Sequence, residues 1–396
     1  MWENVKSQKK KYMTRTVQVF LDVDDQTLQR IRNTRDAYAD IFNAHTEWSK
    51  NNRSTSSKAA HEQLYKQMRD DHPHLPSAMI QCARNHALGA MKSYNSNNPK
   101  KRWCKDISYT ASSMRYDRRT VSLNSSGTLT FSLHGGKRGK AHVDIPKFFT
   151  DRYGDWEFNS ATIGLDRNGK PFANLSYRKT TTQKKSGGRI VGIDRGIYNV
   201  ASTSDGKNFS SRRIRGRKRQ LQHNISTLQA KVASGSRSAK RRLKAQRGKN
   251  ARFSKNELDK ITKQLANSDD VSTYVLEDLT GLYQQKRSKN FNRLKSTWSP
   301  SLFEFMLQYK CEESGIEVVK VDPRYTSQTC SSCGKVEKKN RKGSMYECCH
   351  CGYVGHADIN AALNIRDKYV STLPAASSVV QGASQSPNDA LTFISD

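Results

Sequence analysis

Val191–Gly196 reads VGIDRG and Tyr274–Leu279 reads YVLEDL, two apolar runs of strand length that each end on a carboxylate. Between Asp205 and Glu257 there is no acidic residue, and there are seventeen Lys or Arg. A third acid-bearing motif, HADINAAL at His356–Leu363, follows a cluster of cysteines. Separated segments thus each offer one carboxylate, and a basic segment lies between the first two. The pattern predicts α/β strands carrying a metal site beneath a channel for nucleic acid.

A chain of 396 residues is too long for one small core and predicts two or three domains. Its 69 Lys plus Arg against 36 Asp plus Glu give a formal charge of +33, a self-repulsion that a bound polyanion relieves. No stretch approaches the roughly 18 apolar residues of a membrane span. The N-terminal MWENVKSQKKKYM lacks the apolar core of a secretory signal. These features lead to the expectation of a soluble, cytoplasmic protein with no membrane partner. Five of the eight cysteines crowd into Cys330–Cys351, which in a reducing compartment favours a metal over disulfides. Cys82, Cys104 and Cys311 are scattered and read as buried thiols.

The fold class expected is multidomain α+β. Thr16–Val23 alternates as a half-buried strand, and Asp24–Lys50 then changes to helical period through Leu28, Ile31, Tyr38, Ile41, His45 and Trp48. Shorter helical patterns at Ala59–Met68 and Ser77–Tyr94 complete a helical insert over 24–100. Short alternating segments from Ile107 to Arg178, with an Asn168-Gly169 turn, predict a β-barrel formed by 1–23 and 101–180. The polar, Gly-terminated stretch 181–188 reads as a linker. An α/β domain follows over 189–329 and 352–370, with strands at Arg189–Asp194, Asn199–Thr203, Thr273–Asp278 and Glu317–Val321 and a helix over Ser301–Ser314. Its basic insertion, 210–268, is expected to hold two helices joined by the loop SRSAKRRLKAQRGKNAR. The second helix would open on a capping box of Ser254 and Glu257. The tail 371–396 is rich in Ser and Ala, has no Lys or Arg at all, and reads as disordered.

Hydrolysis of a phosphodiester at neutral pH needs charge stabilisation on both the attacking and the leaving oxygen, and a pair of divalent ions about 4 Å apart supplies both. Mg²⁺, or Mn²⁺ in its place, is held by a few converging carboxylates. Asp194, Glu277 and Asp358 meet that need if the two strands are neighbours and the last acid opens a helix packed on them. Taken singly, each acid reads better as a strand end or a helix cap, Asp358 in particular as an N-cap, and it is the three together, each beside a strongly patterned element with basic or cysteine-bearing segments between, that favour the metal site. Asp205, Asp278 and Asp322 look similar locally and are assigned either structural roles or the support of the residues that hold the metal.

Cys330-x-x-Cys333 and Cys348-x-x-Cys351, with fourteen residues between Cys333 and Cys348, have the spacing of a four-thiolate zinc ribbon, expected at 330–351. Cys349 and His350 lie inside the second knuckle, so the third ligand is Cys348 or Cys349, with Cys348 completing the CxxC. Four thiolates leave a zinc ion no open position, so its expected role is structural.

VGIDRGIYNVAS, VLEDLTGL, YKCEESGIEVVKVDPRYTSQTCSSCG and ECCHCGYVGHADINAALNI together resemble the TnpB (OrfB) family of transposon-encoded RNA-guided DNA nucleases, relatives of compact type V CRISPR effectors. The match is dense from Arg189 to Arg366. The resemblance implies a WED-like barrel, a REC-like helical insert and an RNase H-like RuvC nuclease domain interrupted by the zinc ribbon. It places the catalytic, magnesium-binding acids at Asp194, Glu277 and Asp358. It implies an enzyme of the prokaryotic cytoplasm or nucleoid that binds guide RNA and cuts double-stranded target DNA beside a short flanking motif. A compact type V effector and a non-cleaving guided binding or transposition protein are the alternatives, and monomer or dimer on one RNA is open.

Within the basic insertion, Arg212, Arg213, Arg215, Arg217, Lys218, Arg219, Lys240, Arg241, Arg242 and Lys244 are the expected nucleic-acid contacts, because phosphate neutralisation dominates such affinities. A charge run is otherwise a solvated face. Trp48, Tyr65 and Tyr94 offer rings for stacking on bases, but at helical spacing they read first as core. Arg324 reads either as a contact to the scissile phosphate or as half of an ion pair.

Overall fold

Alternation in YMTRTVQVF turns Met13, Val17 and Val19 inward and leaves the residues between them facing solvent, which makes Tyr12–Phe20 the first strand, β1. The computed structural model describes residues 11–109, 113–136, 138–280 and 299–374, and the chain divides into two units, Met1–Thr180 and Thr181–Asp396. The expected disordered tail lies outside the described residues from position 375 onward.

In the first unit, Asp24 accepts the Thr27 amide at 2.6 Å and starts α1, Asp25–Asn51; α2 (Ser57–Asp71) and α3 (Ser77–Asn97) follow. Trp48 is buried against Ala60 and Leu88, and its Nε1 donates to Gln63 Oε1 at 2.7 Å, so it belongs to the helical core. Tyr65 stacks on His61 with ring centroids 4.3 Å apart. The remaining elements are β2 (Ser113–Tyr116), β3 (Val121–Leu123), β4 (Thr128–Ser132), β5 (Arg138–His142), α4 (Lys147–Tyr153), β6 (Glu157–Leu165) and β7 (Pro171–Thr180). The strands expected to form one barrel are hydrogen-bonded as two antiparallel sheets, β1-β7-β6-β2 and β3-β4-β5, joined by a bridge at Asp22 and His142. The tight turn in which the Thr120 and Val121 amides both donate to the Asp117 carbonyl takes β3 off the β2–β6 ladder. Both sheets and α1 and α3 still share one core, around Tyr38, Ile41, Met79, Tyr116, Phe131 and Leu175.

The second unit is built on a five-stranded sheet in the order β10-β9-β8-β11-β12: β8 is Arg189–Asp194, β9 Asn199–Thr203, β10 Asn208–Ser210, β11 Val271–Glu277 and β12 Glu317–Val321. β8, β11 and β12 run parallel, so their C-terminal ends share one edge. Between β10 and β11 lie α5 (Arg212–Ala233), α6 (Arg237–Ala245) and α7 (Lys249–Ala266). The stretch expected to be a basic loop is therefore largely helix. Ser236 caps α6 by accepting the Ala239 amide, Ala239 is buried, and Lys and Arg are good helix formers once phosphate or solvent carries their charge. For the same reason Ser254 and Glu257 form no capping box: α7 already begins at Lys249 after Gly248, which takes the left-handed conformation. α8 (Pro300–Glu313) is tied to α7 by buried Lys310, whose Nζ donates to Asp259 Oδ1 at 2.8 Å and to Thr262 Oγ1 at 2.8 Å. Three very short strands, β13 (Arg341–Lys342), β14 (Met345–Glu347) and β15 (Val354–His356), form a sheet of their own, and α9, Ala357–Val370, follows directly. Among the described residues no helix is long and apolar enough to cross a membrane.

α9 is seated on β8 where the strand has no side chain. A Cβ on Gly192 would lie 2.0 Å from the Ala362 carbonyl oxygen and 2.7 Å from the Arg366 amide, all backbone atoms that cannot swing aside. Ala361 and Ala362, both buried, keep the helix side of this contact equally thin. Gly192→Ala is expected to cost at least ~3 kcal/mol and to lower the melting temperature by roughly 6–12 °C. A thermal melt matching the parent would contradict this seating.

Candidate active site

Asp194 ends β8 and Glu277 ends β11. The parallel register pairs Leu276 with Ile193, so the two acids occupy the next rung side by side. Asp358 comes to the same edge in the first turn of α9. His356 is the residue that caps that helix, its Nδ1 accepting the Asp358 amide at 3.2 Å, so Asp358 does not spend its carboxylate on the cap as its position in the sequence allowed. Asp358 Oδ1 instead accepts from Arg341 Nη2 at 2.7 Å and Oδ2 from Asn199 Nδ2 at 2.9 Å. Glu277 Oε1 accepts from the hydroxyl of buried Thr326.

The electrostatics mark a site short of positive charge. Burial, then the nearby Glu277 and Asp358 carboxylates, push Asp194 up to about 8. Burial also raises Glu277, against the lowering effect of its Thr326 hydrogen bond. Converging hard oxygen donors that cannot comfortably all ionise fit divalent cations, which would restore the charged forms. Among the described residues, the metal-ligating atoms that all lie within 4.8 Å of one another are the sulfurs of Cys330, Cys333, Cys348 and Cys351.

The raised Asp194 has a consequence for the metal-free protein. Its folded pKa lies above its unfolded value near 3.8, so the folded chain binds the extra proton between them, and stability falls as pH rises from about 4 towards 8. Asp194→Asn is expected to flatten that slope and to raise the melting temperature at pH 8 in chelator. Parallel pH profiles for the two proteins would contradict the raised Asp194 carboxyl.

Sequence reasoning passed over the residues that hold these acids. Arg195, 4% exposed, donates from Nη2 to the Glu277 carbonyl and from Nη1 to Glu304 Oε2 at 3.0 Å and to the Pro300 carbonyl at 3.2 Å. It clamps the end of β11 to α8; its place beside Asp194 in VGIDRG was the available signal. Arg341 sits in the hairpin between the cysteine knuckles, and nothing in its sequence context distinguishes it from its basic neighbours. The residues set aside as structural do local work: Asp278 accepts from the Thr280 amide at 3.1 Å, Asp322 from the Arg324 amide at 3.0 Å, and Asp205 lies 3.3 Å from Lys207 Nζ. Arg324 is mostly exposed, 3.9 Å from Asp322, a weak pair.

The four sulfurs meet as two pairs, Cys330 with Cys351 and Cys333 with Cys348, each 3.7 Å apart. A tetrahedral ion with bonds of about 2.3 Å spaces its sulfurs about 3.8 Å apart, so the cradle fits zinc. Cys348 is in this set. Cys349 is exposed, and its amide donates to Asn340 Oδ1 at 3.2 Å. Of the scattered thiols, Cys82 and Cys311 are buried as expected and Cys104 is exposed.

Of the expected nucleic-acid contacts, Arg212, Arg213, Arg215, Arg217, Lys218 and Arg219 lie on the first turns of α5, and Lys240, Arg241, Arg242 and Lys244 on α6. The α6 residues are exposed. Arg213 pairs with Glu257 at 3.3 Å, and the Arg215 guanidinium lies over the Tyr198 ring at 4.5 Å, so these two are partly committed within the protein.

A family model described as the Cas12f1-like TNB domain matches residues 301–365. A CRISPR-associated endodeoxyribonuclease Cas12f1 from Sulfoacidibacillus thermotolerans is 32% identical over 224 residues, covering 52% of this chain and 52% of that protein. A TnpB-like protein of Methanocaldococcus jannaschii is 33% identical over 97 residues, covering 24% of this chain and 34% of that protein. The chain spans about half the length, or less, of the curated relatives it matches. Its fold matches that of a Cas12f1 chain solved with sgRNA and target DNA, with a TM-score of 0.63 at 14% identity, over 90% of this chain and 99% of that one. In sequence and in fold, this chain is a relative of the TnpB-like proteins and the compact type V effectors of the Cas12f1 kind.

Proposed function

We propose that the protein is an RNA-guided, divalent-metal-dependent DNA endonuclease that cuts double-stranded target DNA beside a short flanking motif through a single RuvC-like site. The observation that carries this reading is the arrival of Asp194, Glu277 and Asp358 at one sheet edge, with Asp194 pushed up to about 8 by burial and then by its two acidic neighbours. Residues 1–23 and 101–180 serve as a WED-like domain and 24–100 as a REC-like insert that together hold RNA and read the motif. Residues 189–329 and 352–370 form the nuclease domain, with the basic insertion 210–268 and the zinc ribbon 330–351. The relatives' names, RNA-guided or CRISPR-associated endonucleases among them, support the same class of activity.

Asp194, Glu277 and Asp358 would hold Mg²⁺ or Mn²⁺, which when bound activates water for attack on phosphorus and stabilises the leaving oxygen. Thr326 and Arg195 orient the Glu277 end of β11, while Asn199 and Arg341 fix both oxygens of Asp358. Cys330, Cys333, Cys348 and Cys351 would hold Zn²⁺ as a structural ion.

The test is to purify the full chain, sequence the RNA that comes with it, and offer a plasmid library carrying the complementary target with randomised flanks. A defined RNA and Mg²⁺-dependent cutting beside one flanking motif are expected. A protein with no defined RNA, or cutting regardless of target, overturns the guided reading. Replacing Lys240, Arg241, Arg242 and Lys244 by Ala should weaken nucleic-acid binding and lower the slope of log K against log salt by about 1 per residue that meets a phosphate. An unchanged slope would remove α6 from the binding surface.

A further inference from the structure

Tyr325 has a left-handed backbone, φ 65°, and a side chain that is 60% exposed. That conformation costs a bulky residue about 1–2 kcal/mol, which Gly would avoid and Asn reduce, and most of the side chain faces outward. The surrounding turn nonetheless holds it firmly. The Tyr325 carbonyl accepts the Gln328 and Thr329 amides at 2.9 Å each and the Thr329 hydroxyl at 2.9 Å. Next to it, the Thr326 hydroxyl donates to Glu277 Oε1, and the Thr326 carbonyl accepts from Asn364 Nδ2 at 2.8 Å. Lys368 Nζ donates to the Arg324 carbonyl and to that of Asp322, the latter at 3.1 Å. The turn is thus fastened to β11 on one side and α9 on the other, the two elements that carry Glu277 and Asp358.

A strained, over-determined turn that presents a bare aromatic ring beside a carboxylate site, with the exposed cation Arg324 next to it, is built for a ligand that has both a flat face and a negative charge. Tyr198, the other exposed tyrosine after the strand ends, already has the Arg215 guanidinium over its ring. Among the described residues no ring or guanidinium is stacked on Tyr325. We infer that Tyr325 is a stacking platform for one unpaired nucleobase of the DNA strand whose backbone lies at Asp194, Glu277 and Asp358. Stacking there fixes which phosphate reaches the carboxylates, so Tyr325 acts as a positioning residue. This rests on the nuclease reading above, but its binding test does not require cleavage.

The experiment uses the full chain with its copurified RNA and single-stranded DNA carrying 2-aminopurine at successive positions, with Ca²⁺ in place of Mg²⁺ to hold back cutting. Quenching of the fluorescent base at one position is expected in the parent and in Tyr325→Phe. In Tyr325→Asn, which keeps the backbone conformation at lower strain, the quench should vanish and the dissociation constant rise about 5- to 150-fold. The melting temperature of Tyr325→Asn should be no lower than that of the parent, separating lost stacking from lost folding. If the Asn variant quenches and binds like the parent, or if the Phe variant loses as much as the Asn variant, the platform assignment is wrong. A parent that cuts no DNA yet shows a Tyr325-dependent quench would instead sink the nuclease reading and leave the platform standing.

Discussion

Asp194→Ala is expected to reduce Mg²⁺-dependent cleavage at least about a thousandfold while leaving RNA and target binding within twofold of the parent. Burial and the neighbouring Glu277 and Asp358 carboxylates oppose the charged form of Asp194, and among the described residues Arg341 and Arg195 offset them only in part. A group held in this way contributes little to folding and gains most from a cation. Asn is the stricter substitution because it keeps the volume and removes only the charge, and Glu277→Gln and Asp358→Asn should fall in the same range. Asp278→Asn and Asp322→Asn provide the contrast. Their carboxylates accept backbone amides in exposed turns, so cutting should persist. The measurement is single-turnover cleavage of a guided target, with binding followed separately by gel shift. Residual cutting by Asp194→Asn within tenfold of the parent would remove this residue from the chemistry.

Loss of zinc should have an effect of similar size by a different route. The ribbon's apolar cluster is Cys330, Tyr346, Cys348 and Ala357, and its strands are two or three residues long, too little to fold without a cross-link. A structural zinc supplies an apparent ~10–16 kcal/mol in such sites. The ribbon also carries residues that place Asp358: Arg341 binds its carboxylate and the Ser331 amide donates to Asn360 Oδ1 at 2.9 Å, while His356, just after the ribbon, caps its helix. Cys330→Ser, or prolonged treatment with a strong chelator, should release about one zinc per chain and abolish cutting. Mg²⁺ alone should not restore it, whereas Zn²⁺ followed by Mg²⁺ should. A colorimetric zinc titration alongside the cleavage assay checks both points. Protein that is fully active with far less than one zinc per chain would show that the four sulfurs serve another purpose.

Local patterns were legible wherever one period dominates. The short apolar runs at Arg189–Asp194 and Val271–Glu277 mark strands because a strand of a parallel sheet is covered on both faces and reads as nearly continuous apolar sequence. The helical stripe through Ile31, Tyr38 and Ile41 gave α1 to within a residue at its start. α6 looks like a loop in sequence because its charge outweighs its weak stripe of Ala239 and Leu243, although Lys and Arg themselves favour helix. The single barrel was expected because alternation shows that strands exist and says nothing of which ladder each joins.

What the sequence by itself determined is the inventory: which segments alternate, which carry an acid at their end, and which cysteines are spaced to share an ion. These depend on contacts within a few residues. Which acid faces which was decided only by the tertiary structure, through the parallel register of β8 with β11 and the close seating of α9 at Gly192. So were the clamp of Arg195, the reach of Arg341 to Asp358, and the helix cap that His356 takes in place of Asp358. Each of these except the cap joins residues far apart in the chain or on different elements. Their free energy comes from burial and hydrogen bonding that exist only once the sheet, the ribbon and α9 are assembled, so no local pattern records them.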